Sequence, residues 1–387
     1  MTTQSITDTE QEFQLATYSK LDLAIVRGRG PWVWTAENEK YLDLYGGHAV
    51  CGVGHSHPDV VKAIAEQAER LMFYSNVVYS DIRAAAAEKL VSVAPEPLEK
   101  AFFCNSGTEA NENAMRIARL ATGRHKIVSF SKGFHGRTAD AISATFLGKY
   151  RQLGEPNVPE HIEAEFGDAE ALSAIIDDET AGVIIEPIQS MAGVREASPD
   201  YFTRLRERCD ETGSVLIFDE VQTGVGRTGS WFFAGSEPAG GVVPDIVTAA
   251  KSLGSGVPVG SCIVSGGLAA AIKENDLGTT FGGGMLAMAA VKATIDVIER
   301  EGLLENARNI ERMVRSVCSE NVAVKSVRGK GCLLGIEFEG GARPFYRKLL
   351  DAKIITGMSS DPNVLRLLPP LNVAEREIEL FGEALLG

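Results

Sequence analysis

The chain is predicted to be an α/β protein: a mainly parallel sheet covered on both faces by helices, followed by a smaller α+β domain. Three observations predict it. Between Lys100 and Ser265 short β-rich runs alternate with helical ones, and strands interleaved with helices build parallel sheets buried on both sides. At 387 residues the chain exceeds the length at which a single core stops growing, so a second, smaller domain is expected. A composition that is 44% apolar and 23% charged supplies enough apolar surface to pack and argues against disorder.

The elements follow in order. Residues 1–14 are polar and acidic; they read as a loose arm and do not resemble a signal or transit peptide. The segment "AIVRGRGPWVWTAENEKYLDLYGG" alternates and then turns, as two strands joined by "AENEK" would. From about residue 58, "PDVVKAIAEQAERL" carries apolar residues at helical spacing, with Pro58 at a first-turn position. Next come "KAFFCNS" and the helical "GTEANENAMRIARLA", then "HKIVSFS", "AGVIIEPI" with "DYFTRLRERCDE", "VLIFDEV", "DIVTAA" and "GSCIVS". From about residue 284, long helical patterns precede "VKSVRGKGCLLGIEFE" and "NVLRLLPPLNV", the strands of the smaller domain. The expected division is an N-terminal segment over 1–45, a large domain over 46–283 and a small domain over 284–387.

Charge and cysteines narrow the function. A net charge of −14 argues against nucleic acid and anionic membranes as partners, since both need a basic surface. Six single cysteines without C-x-x-C spacing weaken zinc and redox readings and fit a reduced, cytoplasmic setting. No apolar run approaches the ~18–20 residues that a spanning helix needs.

Ligands of parallel sheets sit at the carboxyl ends of strands, where Asn105, Glu186, Asp219 and Lys251 fall. An apolar strand ending in Asp219 and a second ending beside a lone Lys251 suit an enzyme that holds a pyridine aldehyde. The amine can condense with the aldehyde as a Schiff base, and the carboxylate can keep the ring nitrogen protonated so that the ring withdraws electrons. The competing reading makes Asp219 a helix cap and Lys251 a surface charge.

The neighbouring motifs add to the first reading. In "CNSGTEANENAMRIAR" a strand enters a helix through Ser106, Gly107 and Thr108. Two hydroxyls, a glycine backbone and free helix N–H groups make an anion site, although S-G-T-E also reads as a helix cap for Ser106. No G-K-[ST] and no G-x-G-x-x-G follows, which weakens kinase and dinucleotide readings. "FSKGFHGRT" offers Phe134 as a flat partner for an aromatic ring, or as core, and Arg137 as a fork for a carboxylate. Val221 and Gln222, just past Asp219, can underlie a ring and reach a phenolic oxygen. Thr279 and Thr280 precede a glycine run and can meet an anion. Arg366 lies in a strand-like run, where an unpaired charge is costly; it meets a ligand carboxylate or a buried acid. His55 and His57 have metal-like spacing but no third ligand nearby, and read as a structural turn.

Together these segments, running from about Tyr18 to Pro370, resemble the class III pyridoxal-phosphate-dependent aminotransferases, nearest the acetylornithine and ornithine branch. The motifs are "YLDLYGGHAV…GHSHP", "FFCNSGTEANENAMRIAR", "FHGRT", "EPIQ", "LIFDEVQTGVGRTG", "PDIVTAAKSLGSGVPVG" and "TTFGGG". The resemblance implies fold type I, with a mainly parallel seven-stranded sheet in the large domain, pyridoxal 5'-phosphate as cofactor, and a homodimer with active sites at its interface. It implies that Lys251 carries the Schiff base and the proton, that Asp219 partners the ring nitrogen, and that Phe134 stacks on the ring. Gln222 would lie near the ring hydroxyl, with Glu186 supporting the surroundings. Ser106, Gly107 and Thr108 would bind phosphate, joined by Thr280 of the other subunit. Tyr18 and Arg137 would hold the distal carboxylate of an ω-amino donor such as N-acetylornithine, and Arg366 the carboxylate beside the reacting carbon of glutamate, with 2-oxoglutarate as acceptor.

The resemblance breaks at "QSMAGV", where the family usually has Q-G-E-G-G, so that Met191 replaces an acid able to mask Arg366. Either another acid, such as Glu196, takes over the masking, or the enzyme favours donors with a carboxylate close to the reacting amine. The usual G-G-N-P after Thr-Phe reads Gly283, Gly284, Met285, a difference confined to interface packing. Two other readings stand beside transamination: an aminomutase, which has no need of Arg366, and a non-enzymatic regulator, which has no need of Lys251, Asp219 and Gln222 together.

Overall fold

A computed structural model describes all 387 residues. The chain does not begin as a loose arm: Thr3–Phe13 forms helix α1, started by a reciprocal cap between Thr2 and Ser5. Polar composition had suggested irregular structure there, but two hydroxyls at the helix start satisfy otherwise unpaired N–H groups, and Glu37 accepts from Thr3 N–H at 2.7 Å. The next segment makes three strands where two were expected, β1 (Ile25–Arg29), β2 (Trp32–Thr35) and β3 (Lys40–Asp43). "AENEK" joins the last two, and the turn at Gly30–Pro31 adds the first pairing. Residues Ile354–Ile355 complete this sheet, running parallel to β3.

Helices α2 (Pro58–Arg70) and α3 (Asp81–Ser92) lead into the large sheet. Pro58 sits at the first helical position, and His57 caps α2 through Asp59 N–H, so this histidine has the structural role expected of it. The large sheet comprises β4 (Leu98–Cys104), β5 (Lys126–Phe130), β6 (His161–Ala164), β7 (Thr180–Ile185), β8 (Val215–Asp219), β9 (Ile246–Ala249) and β10 (Gly260–Ser265). Their order is β4-β10-β9-β8-β7-β5-β6. Neighbours from β9 to β6 are parallel; only β10 runs against its neighbours β9 and β4. This is the seven-stranded, mainly parallel sheet of the fold class expected. Every residue of β7, β8 and β9 is buried, as strands covered on both faces must be.

Helices α4 (Gly107–Thr122) and α5 (Pro199–Thr212) follow β4 and β7. Ala114, Met115, Ile117 and Ala118 of α4 are buried in one core layer with Ile184 and Ile217 of the sheet. On the other face Phe202 of α5 is wholly buried between the rings of Tyr201, Phe218 and Phe233, each with its centroid 5.6–5.7 Å away. Beyond the sheet come α6 (Met285–Arg300) and α7 (Leu303–Ser319). An antiparallel sheet of β11 (Val324–Lys330), β12 (Leu333–Phe338) and β13 (Val364–Leu367) follows, edged by Gly357–Met358. Helices α8 (Arg343–Asp351) and α9 (Glu375–Leu386) belong to the same region.

Phe202→Ala should be among the costlier single changes away from the site. Removing a buried aromatic typically costs ~3–5 kcal/mol, and three ring–ring contacts vanish with it. Urea unfolding followed by far-ultraviolet circular dichroism should give a midpoint well below that of the parent protein. A loss under about 1 kcal/mol would mean that the aromatic layer relaxes around the hole.

Candidate active site

A cavity of about 590 Å³ opens at the carboxyl ends of β4, β7, β8 and β9. Tyr18, Ser106, Gly107, Thr108, Phe134, Arg137, Glu186, Asp219, Val221, Gln222 and Lys251 all line it. Of the residues that the resemblance assigned to cofactor or substrate, Thr280 and Arg366 do not. Thr280 is exposed beside Phe281, and Arg366 is buried beneath Tyr45.

Asp219 ends β8 and is 4% exposed. Its Oδ2 accepts from Asn111 Nδ2 at 2.7 Å and from His135 Nδ1 at 2.8 Å, while Oδ1 accepts from Val221 N–H at 3.1 Å. Asn111 is fixed in turn, donating also to the His135 carbonyl at 2.8 Å and accepting from Thr248 Oγ1 at 2.7 Å. The carboxylate is thus held by β9, α4 and the loop after β5 at once. Its neighbour Glu220 points away and staples a turn, accepting from Phe233 and Ala234 N–H at 2.6 and 2.8 Å; burial lifts it to about 7. The acidic pair therefore divides into one residue for the cavity and one for the scaffold.

Lys251 follows β9 across one extended residue, Ala250, and opens a short 3₁₀ turn with φ +46°, a region that side chains seldom occupy and that functional sites often do. Burial pushes its amine down to about 8, against the attraction of Asp219 and Glu186, with Arg366 and Arg227 adding to the downward push. Glu186 accepts from Phe134 N–H at 2.7 Å, and its burial raises it above the usual carboxylate range.

At the opposite end Ser106 caps α4, its Oγ accepting from Glu109 N–H at 3.3 Å, so the capping role is real. Glu109 reaches back to the Asn105 N–H and side-chain amide at 2.8 Å. Thr108 Oγ1 lies 2.7 Å from Thr138 Oγ1. Gly107 packs so closely on Val221 that a Cβ would lie 2.8 Å from its Cγ1; a side chain there would displace the cavity wall.

Arg366 is not part of an ion pair. Its Nε donates to the Met358 carbonyl at 3.0 Å, Nη1 to Ser190 Oγ at 3.1 Å and Nη2 to Tyr45 Oη at 2.7 Å. The buried-acid alternative is thereby excluded. Glu196 is exposed and accepts from Gly329 N–H at 2.7 Å; it does not mask Arg366. Arg137 is exposed and stacks on Tyr150, its guanidinium 4.4 Å from the ring centroid, while Tyr150 meets Phe134 edge-on at 5.6 Å.

Asn111, His135, Tyr45, Ser190 and Tyr150 were not singled out in the sequence. Asn111 follows the S-G-T-E start by one helical turn and so faces the same strand ends, a signal that was available. Tyr45 and Ser190 lie far from Arg366 in the chain, and only the fold brings them together.

The donor set fits pyridoxal phosphate. An amine at a cavity wall, a carboxylate with both oxygens oriented, a flat Phe134, a hydroxyl-lined helix start and a buried Gln222 Oε1 with no protein partner match an aldehyde, a ring nitrogen, a π-face, a phosphate and a hydroxyl.

The chain matches the Aminotransferase class-III family over residues 14–386. It is 44% identical to the acetylornithine aminotransferase of Methanopyrus kandleri over 95% of this chain and 94% of that one. The acetylornithine aminotransferase of Archaeoglobus fulgidus is 41% identical, with 98% of each chain covered. Among solved structures, the ornithine aminotransferase of Toxoplasma gondii superposes with a TM-score of 0.92 at 26% identity, covering 100% of this chain and 94% of that one.

Because the neutral amine is the nucleophile, cofactor-free protein should react with pyridoxal phosphate at a rate that climbs through about pH 8 and flattens above it. Stopped-flow absorbance across a pH series reads this directly. A rate that keeps climbing tenfold per unit toward the free-lysine range near ~10.4 would show that burial leaves Lys251 unperturbed.

Proposed function

The chain belongs to the class III aminotransferases, and we propose that its donor is N-acetylornithine, its acceptor 2-oxoglutarate and its working form a cytoplasmic homodimer. The observation that carries the reading is Lys251 sharing one cavity with Asp219, while the charge of Arg366, unmatched by any acid, bears on the lysine. The acetylornithine names of the relatives support the donor. So does Arg137, an exposed guanidinium at the mouth of the cavity suited to a distal carboxylate.

Enzymes of this family use pyridoxal phosphate, which supplies an electron-withdrawing ring for the pair released when a C–H bond beside nitrogen breaks. On our reading Asp219, its Oδ2 held by Asn111 and His135, would keep a proton on the ring nitrogen. Lys251 would be the covalent anchor, and its freed amine would hold and move the proton lost from the donor carbon, a role that a lowered pKa favours. Ser106, Gly107 and Thr108 would bind the cofactor's phosphate, Phe134 and Val221 would hold its ring, and Gln222 would meet its hydroxyl. Glu186 fixes Phe134 through its backbone N–H. Tyr18 and Arg137 bind the distal carboxylate of the donor, and Arg366 the α-carboxylate of glutamate.

The dimer is supported by a surface unusual for a lone chain: Met72, Phe73, Tyr74, Val77, Val78 and Tyr79 are exposed together with Phe281, whose ring lies 5.2 Å from that of Phe73. Contiguous apolar surface of this kind marks an interface. Thr280, beside it, would complete the phosphate site of a second copy.

A panel of ω-amines assayed with 2-oxoglutarate tests the donor: N-acetylornithine should give the highest kcat/KM, and a preference of more than about tenfold (~1.4 kcal/mol) for ornithine or 4-aminobutyrate would overturn it. Arg137→Ala should weaken the donor half-reaction more, and Arg366→Ala the glutamate half-reaction more, each by ~1.5–3 kcal/mol. Single-turnover spectra separate the halves, and equal damage by both changes to both would refute the division. Met191→Glu should shift the half-reaction ratio toward N-acetylornithine by masking Arg366; a ratio unchanged within about twofold (~0.4 kcal/mol) would leave Met191 a packing residue.

A further inference from the structure

We infer that Asp43 and His55, which lie outside the cavity lining, form a clamp that positions Arg366 for a substrate carboxylate, acting through Tyr45. The inference rests on the reading of Arg366 given above. Its geometry is a short chain of bonds. His55 Nε2 lies 2.7 Å from Asp43 Oδ2. Asp43 Oδ1 accepts from the N–H groups of Tyr45 and Gly46, and Oδ2 from that of Gly47, all at 2.9 Å. Tyr45 Oη then accepts from Arg366 Nη2 at 2.7 Å. One buried carboxylate thus gathers three successive N–H groups and fixes the residue whose hydroxyl holds the guanidinium.

The backbone there needs such a fixture. Gly46, Gly47, His48 and Ala49 all have φ between +56° and +70°, a left-handed run in which the last two residues carry side chains that disfavour it. Strained backbone persists only where its surroundings over-determine it. A Cβ on Gly46 would lie 2.7 Å from the Leu368 carbonyl, so the run is pressed against the strand that bears Arg366. Leu368 N–H also donates to the Leu44 carbonyl at 2.8 Å. Burial pushes His55 down, but Asp43 and Cys51 together outweigh it and raise the imidazole to about 10. The ring of His48 meets Tyr45 edge-on at 5.1 Å, bracing it from the solvent side.

A purely structural pair would serve the fold and leave ligand binding untouched, which gives the test. Holoenzyme variants His55→Ala, His55→Gln, Tyr45→Phe and the double variant His55→Ala/Tyr45→Phe are titrated with glutarate, an unreactive dicarboxylate, by calorimetry. Tyr45→Phe and His55→Ala should each raise the glutarate Kd about fivefold to tenfold, the scale of a weakened hydrogen bond to a charged group. His55→Gln, which can still donate to Asp43, should recover most of the loss. In the Tyr45→Phe background the histidine change should cost less than about twofold, because residues acting in series are not additive. Full additivity, or a glutarate Kd unmoved by His55→Ala in folded protein, overturns the clamp. If His55→Ala fails to fold, His55→Asn with the same cycle decides. Arg366→Ala serves as the control: a Kd unchanged by it sinks the reading of Arg366, whereas a Kd raised by it alone sinks only the clamp.

Discussion

Asp219 stands at the carboxyl end of the central strand with Oδ2 bound by Asn111 and His135 and Oδ1 by the Val221 N–H. A carboxylate this buried is tolerated only when donors surround it, and the donors come from three parts of the chain. Thr248 orients Asn111, Asn111 orients His135 through its carbonyl, and His135 in turn binds the carboxylate. Removing the acid would leave buried donors unpaired, and each such group costs ~1–3 kcal/mol. The network therefore makes the position of Asp219 a property of the sheet itself, and the remaining site residues take their places around it.

Lys251 experiences the opposite pressures. Burial and two arginines act against its charge, while Asp219 and Glu186 act for it. The arginines carry no acid of their own: Arg227, wholly buried, donates to the carbonyls of Cys332 and Pro369 and, at 3.3 Å, to Ser252 Oγ, next in sequence to Lys251. Neither guanidinium is in a direct ion pair, and Glu186 and Asp43 act on them only at a distance. In a medium of low dielectric the fields of the guanidiniums reach several ångströms further than in water, so residues that never touch the amine help to keep it a base.

Much of this arrangement was legible in the chain. Apolar runs ending at Asp219 and beside Lys251 gave the strand ends, because parallel strands buried on both faces leave only their termini for polar chemistry. The S-G-T-E start gave the cap of α4 at the cavity wall, because helix starts must satisfy their own N–H groups. What escaped was set by long-range contact. Tyr45 was not singled out, and nothing local ties it to Arg366, 321 residues away. The first fourteen residues misled for a different reason: composition suggested a loose arm, yet the Thr2–Ser5 cap starts a helix there, a signal carried by two hydroxyls and not by hydrophobic pattern. The N-terminal strands were undercounted because Gly30 and Pro31 disguised a tight turn as part of one alternating run.

If Arg366 receives a substrate carboxylate as proposed, its partners bear on how one site can serve two substrates in turn. Had the guanidinium been paired with an acid, every arriving carboxylate would first have to displace it, and breaking a buried pair costs ~3–5 kcal/mol. Ser190 and Tyr45 offer hydroxyls instead. A net hydrogen bond of this kind is worth about 1 kcal/mol, and a hydroxyl can turn aside without leaving a buried charge behind. The fold carries the desolvation of Arg366 permanently, through the Met358 carbonyl and these two oxygens, and no carboxylate has to leave before a ligand could reach it. Met191, whose carbonyl accepts from Ser360 N–H at 2.8 Å, lies next to Ser190 and adds no competing carboxylate. The cost falls on a donor that brings an apolar stretch to the same place, since it must face a guanidinium that nothing neutralises. On the same reading, discrimination between the two half-reactions would come from the cavity mouth, where Arg137 is held by the ring of Tyr150 and not by an acid. Both arginines of the site are thus restrained by groups that orient a cation without cancelling it.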